Sequence, residues 1–70
     1  MKYLIIIEKS NNGFCAYSPD IPGCIAAAET EEETRTLMKE AIVFHLEGMA
    51  EDGEEMPTGQ TIAEYVEIAA

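Results

Sequence analysis

The sequence predicts a small α/β (α+β) domain of order β-β-β-α-β, in which three antiparallel strands lead into one long helix and a closing strand. Three observations predict it. A proline-glycine corner, Pro19-Asp20-Ile21-Pro22-Gly23, separates short apolar runs. Thr30 with Glu33 three places on has the form of a capping box, which starts a helix at Glu31. Asp52-Gly53 then supplies a helix stop, with Gly53 as a left-handed cap.

Taken in order, Met1 to Ile7 is an apolar run of strand length with three isoleucines, ended by the polar loop Glu8 to Gly13. Asn12-Gly13 suits the positive φ angles of a tight reversal, so Phe14 to Tyr17 is expected to return antiparallel. Pro19 lacks an amide donor and pushes Ser18 towards extended backbone, which stops that strand. Pro22-Gly23 fits the centre of a type II turn, and Asp20 is expected to brace the corner through local Asx hydrogen bonds. Cys24 to Ala28 forms the third strand.

The helix is expected from Glu31 to about Ala50, roughly 30 Å long. Thr34, Leu37, Met38, Ala41, His45, Gly48 and Met49 share one side, flanked by Ile42 and Phe44. Glu32, Thr36, Glu40, Val43 and Glu47 lie opposite. Gly48 costs about 1 kcal/mol inside a helix; a close approach of helix to sheet would compensate. After the polar connection Glu54 to Gln60, the stretch Ala63 to Ala69 reads as a fourth strand lying beside the first through a right-handed crossover. Residues 1–70 read as one domain without repeats.

In the first strand Tyr3, Ile5 and Ile7 point to one face and Leu4 and Ile6 to the other, while a single helix covers only one. A second copy is therefore expected on the open face, as a homodimer or homotetramer. The alternative is that the termini or the polar connection fold over it. Self-association also suits a chain of this size, which buries only about 60% of its unfolded surface.

The net charge is −10, and Lys2, Lys9, Arg35 and Lys39 all precede Glu40. Eight carboxylates and no cation follow from Glu40 onward. Such a surface repels phosphate, so direct nucleic-acid binding is not expected. A basic protein partner suits it, through the acidic stretch Glu47, Glu51, Asp52, Glu54 and Glu55; the alternative is a solvated acidic helix end. Glu47 and Glu51 repel at four-residue spacing beside the negative end of the helix dipole, and a cation brought there would relieve both effects. No apolar run is long enough to span a membrane and no signal peptide is apparent, so a cytoplasmic protein is expected. Cys15 and Cys24 are expected as free buried thiols.

Three features together strongly resemble the HicB-like family, the antitoxins of HicA/HicB toxin–antitoxin modules. They are Pro19-Asp20-Ile21-Pro22-Gly23-Cys24, then Thr30-Glu31-Glu32-Glu33, then Glu51-Asp52-Gly53-Glu54-Glu55-Met56-Pro57. The resemblance covers almost the whole chain. It implies a partial ribonuclease H-like fold without nuclease activity, and a partner that is a small basic endoribonuclease cutting messenger RNA through a histidine. Members often assemble as dimers or tetramers. Thr34 stands where members usually have alanine. Many members carry a DNA-binding segment after the fourth strand; none follows in this sequence, so autoregulation through DNA is not expected.

The residues themselves offer little chemistry. His45 is expected as a hydrogen-bonded core histidine, and neither cysteine has the basic or helix-terminal setting that makes a nucleophile. No zinc-type spacing occurs. A metal-dependent nuclease of the ribonuclease H type needs several converging carboxylates, for which Glu8 and Asp20 are the only early candidates. The reading is thus a binding protein without catalytic, cofactor or metal residues, with Pro19, Asp20, Pro22, Gly23, Thr30 and Glu33 as structural corner and cap. Its expected task is to occlude the RNA surface of a HicA-like toxin. The alternatives are that divalent-metal nuclease and an orphan homo-oligomer with an unknown ligand.

Overall fold

The computed structural model describes residues 1–69. Three strands, β1 (Ile6–Ser10), β2 (Gly13–Tyr17) and β3 (Ile25–Ala28), precede one helix, α1 (Glu31–Glu51). The sheet is antiparallel throughout, in the order β1-β2-β3.

β1 lies later in the chain than the apolar run that predicts it. Asn11 and Asn12 alone form the hairpin tip between paired Ser10 and Gly13, so Glu8 and Lys9 are drawn into the ladder opposite Cys15 and Phe14. Among the described residues no non-glycine residue has positive φ, so Asn12 does not take the left-handed conformation expected of it. Pairing of regular strands stops at Ile6–Tyr17 because Pro19 follows. Beyond it, the Ser18 hydroxyl donates to the Leu4 carbonyl at 2.8 Å and holds the start of the chain against the sheet.

The corner is two successive turns. The Ile21 N–H donates to the Ser18 carbonyl and the Cys24 N–H to the Ile21 carbonyl, each at 3.2 Å. Gly23 has φ +83°, the left-handed value that the second central position of a type II turn requires. This geometry drives Ile21 inward, where it is 1% exposed and joins Ala16, Cys24 and Met38 in the core. Tyr3, Ile5 and Ile7 pack against that cluster from the helix side of the sheet, the face the alternation assigns them.

Thr30 caps α1. Its Oγ1 accepts from the Glu33 N–H at 3.1 Å and donates to Glu33 Oε1 at 2.9 Å. The Glu33 carboxylate therefore takes the threonine hydroxyl rather than the backbone amide of a reciprocal box. At the other end Gly53, at φ +73°, completes a Schellman closure in which Glu54 N–H donates to the Met49 carbonyl at 2.9 Å and Gly53 N–H to the Ala50 carbonyl at 3.2 Å.

Two expectations about the helix face are corrected. Leu37 is 43% exposed, and the stripe meeting the core is Thr34, Met38, Ala41 and Ile42. A methyl group added at Gly48 would meet nothing within 4 Å, so Gly48 does not mediate a close approach to the sheet. Gly48→Ala is accordingly expected to stabilise the chain by about 0.8–1.0 kcal/mol, the helix-propensity difference. An upward shift of the urea midpoint with an unchanged slope is the check.

The closing strand is not formed. After α1 the chain passes the start of the sheet, where the Tyr3 hydroxyl donates to the Pro57 carbonyl at 2.7 Å. Thr61 is held by the Asp20 carboxylate, through its N–H at 3.1 Å and its hydroxyl at 2.6 Å. Asp20 thus braces a segment 41 residues away, not its own corner. Residues 62–69 continue without a ladder partner, and all of them are exposed. Their alternation is weak: Glu64 and Glu67 fall on opposite faces of an extended chain, so neither face is wholly apolar.

Candidate partner-binding surface

The sheet, the corner and α1 form a shallow groove of about 480 Å³ on the C-terminal half of the helix. Gly23, Cys24 and Ile25 make one wall; Phe44, His45 and Gly48 make the other. Gly48 contributes no side chain to fill the groove, and a methyl group there would meet nothing within 4 Å. Phe44 is 77% exposed at the groove, an unusual amount for a large aromatic side chain beside a depression, whereas the Ile25 side chain, 72% exposed, falls on the opposite face of the sheet.

Asp52 and Glu54 stand at the end of this groove. Glu47, Glu51 and Glu55 lie outside its lining, on the same exposed end of the helix and the turn beyond it. The structure therefore brings two of the five predicted acidic residues to an apolar depression and leaves three on the flank. Among the described residues the one ion pair is Arg35–Glu31, at 2.7 Å near the other end of α1, so none of the five carboxylates is paired. The last turn of the helix carries no basic residue to offset its dipole.

His45 is half-buried in the groove wall, and no side-chain hydrogen bond is formed to it among the described residues, which corrects its expected role as a hydrogen-bonded core histidine. Cys24 lines the same groove, but burial raises its thiol above the ordinary value, the opposite of what a nucleophile needs. Cys15 is half-buried and also a free thiol. Glu8 is paired opposite Cys15, whereas Asp20 lies beyond the other end of β2 and is engaged by Thr61, so the two carboxylates do not converge. Among the described residues no three His, Cys, Asp or Glu side chains gather as a metal site, and no helix is long and apolar enough to cross a membrane.

Phe44 is not legible as a site residue, since it also fits the packed face in the helix pattern. Pro19, Pro22, Gly23, Thr30 and Glu33 occupy the corner and cap as expected.

Comparison with known proteins bears on this arrangement. Residues 3–69 match the family described as "HicB_like antitoxin of bacterial toxin-antitoxin system". The chain is 48% identical over 66 residues to a 14.9 kDa protein in the rep-hol intergenic region of Haemophilus phage HP1, covering 94% of this chain and 50% of that protein. It is 32% identical over 71 residues to Antitoxin HicB 2 of Photorhabdus laumondii subsp. laumondii, covering 100% of this chain and 51% of that protein. The chain thus spans about half the length of these relatives. A solved structure described as a HicA3 and HicB3 toxin-antitoxin complex contains a chain of similar fold, with TM-score 0.73 and 33% identity over 86% of this chain and 70% of that one. A family of antitoxins implies a non-enzymatic role. On the match across residues 3–69, the chain belongs to the HicB-like antitoxin family of bacterial toxin-antitoxin systems.

Proposed function

We propose that this protein neutralises a small basic HicA-like messenger-RNA endoribonuclease in the cytoplasm by covering the surface with which the toxin grips RNA. The observation that carries the reading is the unpaired acidic end of α1, Glu47, Glu51, Asp52, Glu54 and Glu55, beside a groove lined by the exposed Phe44. A surface that binds RNA must be cationic. Carboxylates already repelling one another at a negative helix terminus gain most from a cation placed among them.

The mechanism is steric and electrostatic. Opposite charge accelerates encounter, and apolar contact in the groove holds the complex once formed. The strand-strand-strand-helix order is the part of a ribonuclease H-like fold that the family resemblance implies, here serving as a scaffold rather than a metal site. The similarity to a chain from a HicA3 and HicB3 complex supports a toxin of the HicA kind as the partner.

The triple change Glu47→Lys, Glu51→Lys, Glu55→Lys tests this. Association with a HicA-like toxin is expected to slow on the order of 10- to 100-fold at low salt and to lose most of its salt dependence. Stopped-flow rates at several ionic strengths decide it. Unchanged rates and an unchanged salt slope would discard the reading.

A further inference from the structure

We infer that residues 62–69 are a docking arm that pairs with the open edge of β1 in a second copy of this chain. The inference stands apart from the toxin reading.

The arm is apolar and exposed. Ile62 is 79%, Val66 75%, Ile68 75% and Tyr65 fully exposed. Its root is fixed, because Asp20 holds Thr61 and the Pro57 carbonyl accepts from Tyr3. A loose tail does not need such a clamp. The clamp delivers the arm at the start of the sheet and directs it off the body: the radius of gyration is 13.9 Å, against about 11 Å for a compact chain of this length.

The area matches a dimer. The chain exposes 5693 Å², whereas a compact monomer of 7.7 kDa exposes about 4,300 Å². Two copies that covered this excess would bury roughly 2,700 Å², inside the range of obligate homodimers.

The receiving edge is on the same molecule. β1 is paired on one side only, among the described residues, and an unpaired edge is a template for another strand. Lys2 and Lys9, two of the chain's four cations, flank the apolar run at that edge, while the arm carries Glu64 and Glu67. The β3 edge is a poorer receiver, because it is only four residues long and is followed by Glu29. On the face away from α1 the register aligns Ile6, Tyr17 and Ile25 in one row across the sheet. A strand added beside β1 lengthens that row and shields its outer end. Arm and edge being on every copy, two chains satisfy each other through a twofold axis.

Sedimentation equilibrium of the 70-residue chain is expected to give twice 7.7 kDa. The pair Val66→Asp and Ile68→Asp should weaken the dimer on the order of 100-fold or more, with far-ultraviolet circular dichroism unchanged because neither side chain is in the core. Photocrosslinking from p-benzoylphenylalanine in place of Val66, in mixed ¹⁴N and ¹⁵N chains, should join the arm to residues 3–9 in isotopically mixed pairs. A monomer, a dimer indifferent to the two aspartates, or crosslinks confined to pairs of like isotope would each overturn the inference, the last by placing the arm on its own β1.

Discussion

Ile21→Ala is expected to remove a large share of the protein's folding stability at 25 °C. Truncating a fully buried isoleucine costs about 2–5 kcal/mol through lost burial and the cavity left behind. The whole stability of a chain of 70 residues is roughly 3.5–10 kcal/mol. Ile21 is 1% exposed, in a core whose other fully enclosed large side chains, among the described residues, are Met38 and Thr34. Few neighbours are available to close the gap. The backbone adds to the effect, since the N–H and carbonyl of Ile21 each close one of the two corner turns. The side chain is what anchors that double turn beneath α1. Ile21→Val, which keeps the branched shape, should cost only about 0.5–1.5 kcal/mol. Urea titrations followed at 222 nm compare the three proteins. A loss below 1 kcal/mol for the alanine variant would mean that the corner is held by something other than its buried isoleucine.

The corner and the helix ends were legible because their chemistry is local. Pro22-Gly23 specifies a turn within four residues, Thr30 with Glu33 specifies a cap within four, and Asp52-Gly53 specifies the stop; all three are formed. What the sequence misplaced depends on partners distant along the chain. Asp20 has a local Asx option, yet Thr61 offers it an amide and a hydroxyl together, and two hydrogen bonds to one carboxylate outweigh a single local one. The fourth strand carries adequate strand composition at Tyr65, Val66 and Ile68, but composition does not say whether a ladder edge is within reach in the same chain. Gly48, where the helix pattern suggests close packing, instead leaves space. The acidic half of the candidate site was visible as charge without countercharge. Its apolar half was not, because Phe44 at the border of the helix face differs in no pattern from residues that pack inward.

That apolar half carries the second large effect. Phe44→Asp is expected to weaken binding of a HicA-like toxin by 2 kcal/mol or more, about 30-fold, as aromatic anchors in partly enclosed sites do. Folding stability should change little, since Phe44 is 77% exposed and belongs to no buried cluster. The kinetic signature separates it from the charge reversal at Glu47, Glu51 and Glu55. Long-range charge acts before contact and governs the encounter rate, whereas an anchor in the groove acts after contact and governs escape. Phe44→Asp adds one negative charge to a chain already at −10, so by charge alone it would speed association with a basic partner slightly. A raised dissociation rate with an association rate equal to or above that of the parent is therefore the expected result, read by biolayer interferometry at fixed salt. A purely electrostatic complex would instead tighten on this change. That outcome would reduce the groove to a surface irregularity and leave the acidic helix end as the whole of the recognition surface.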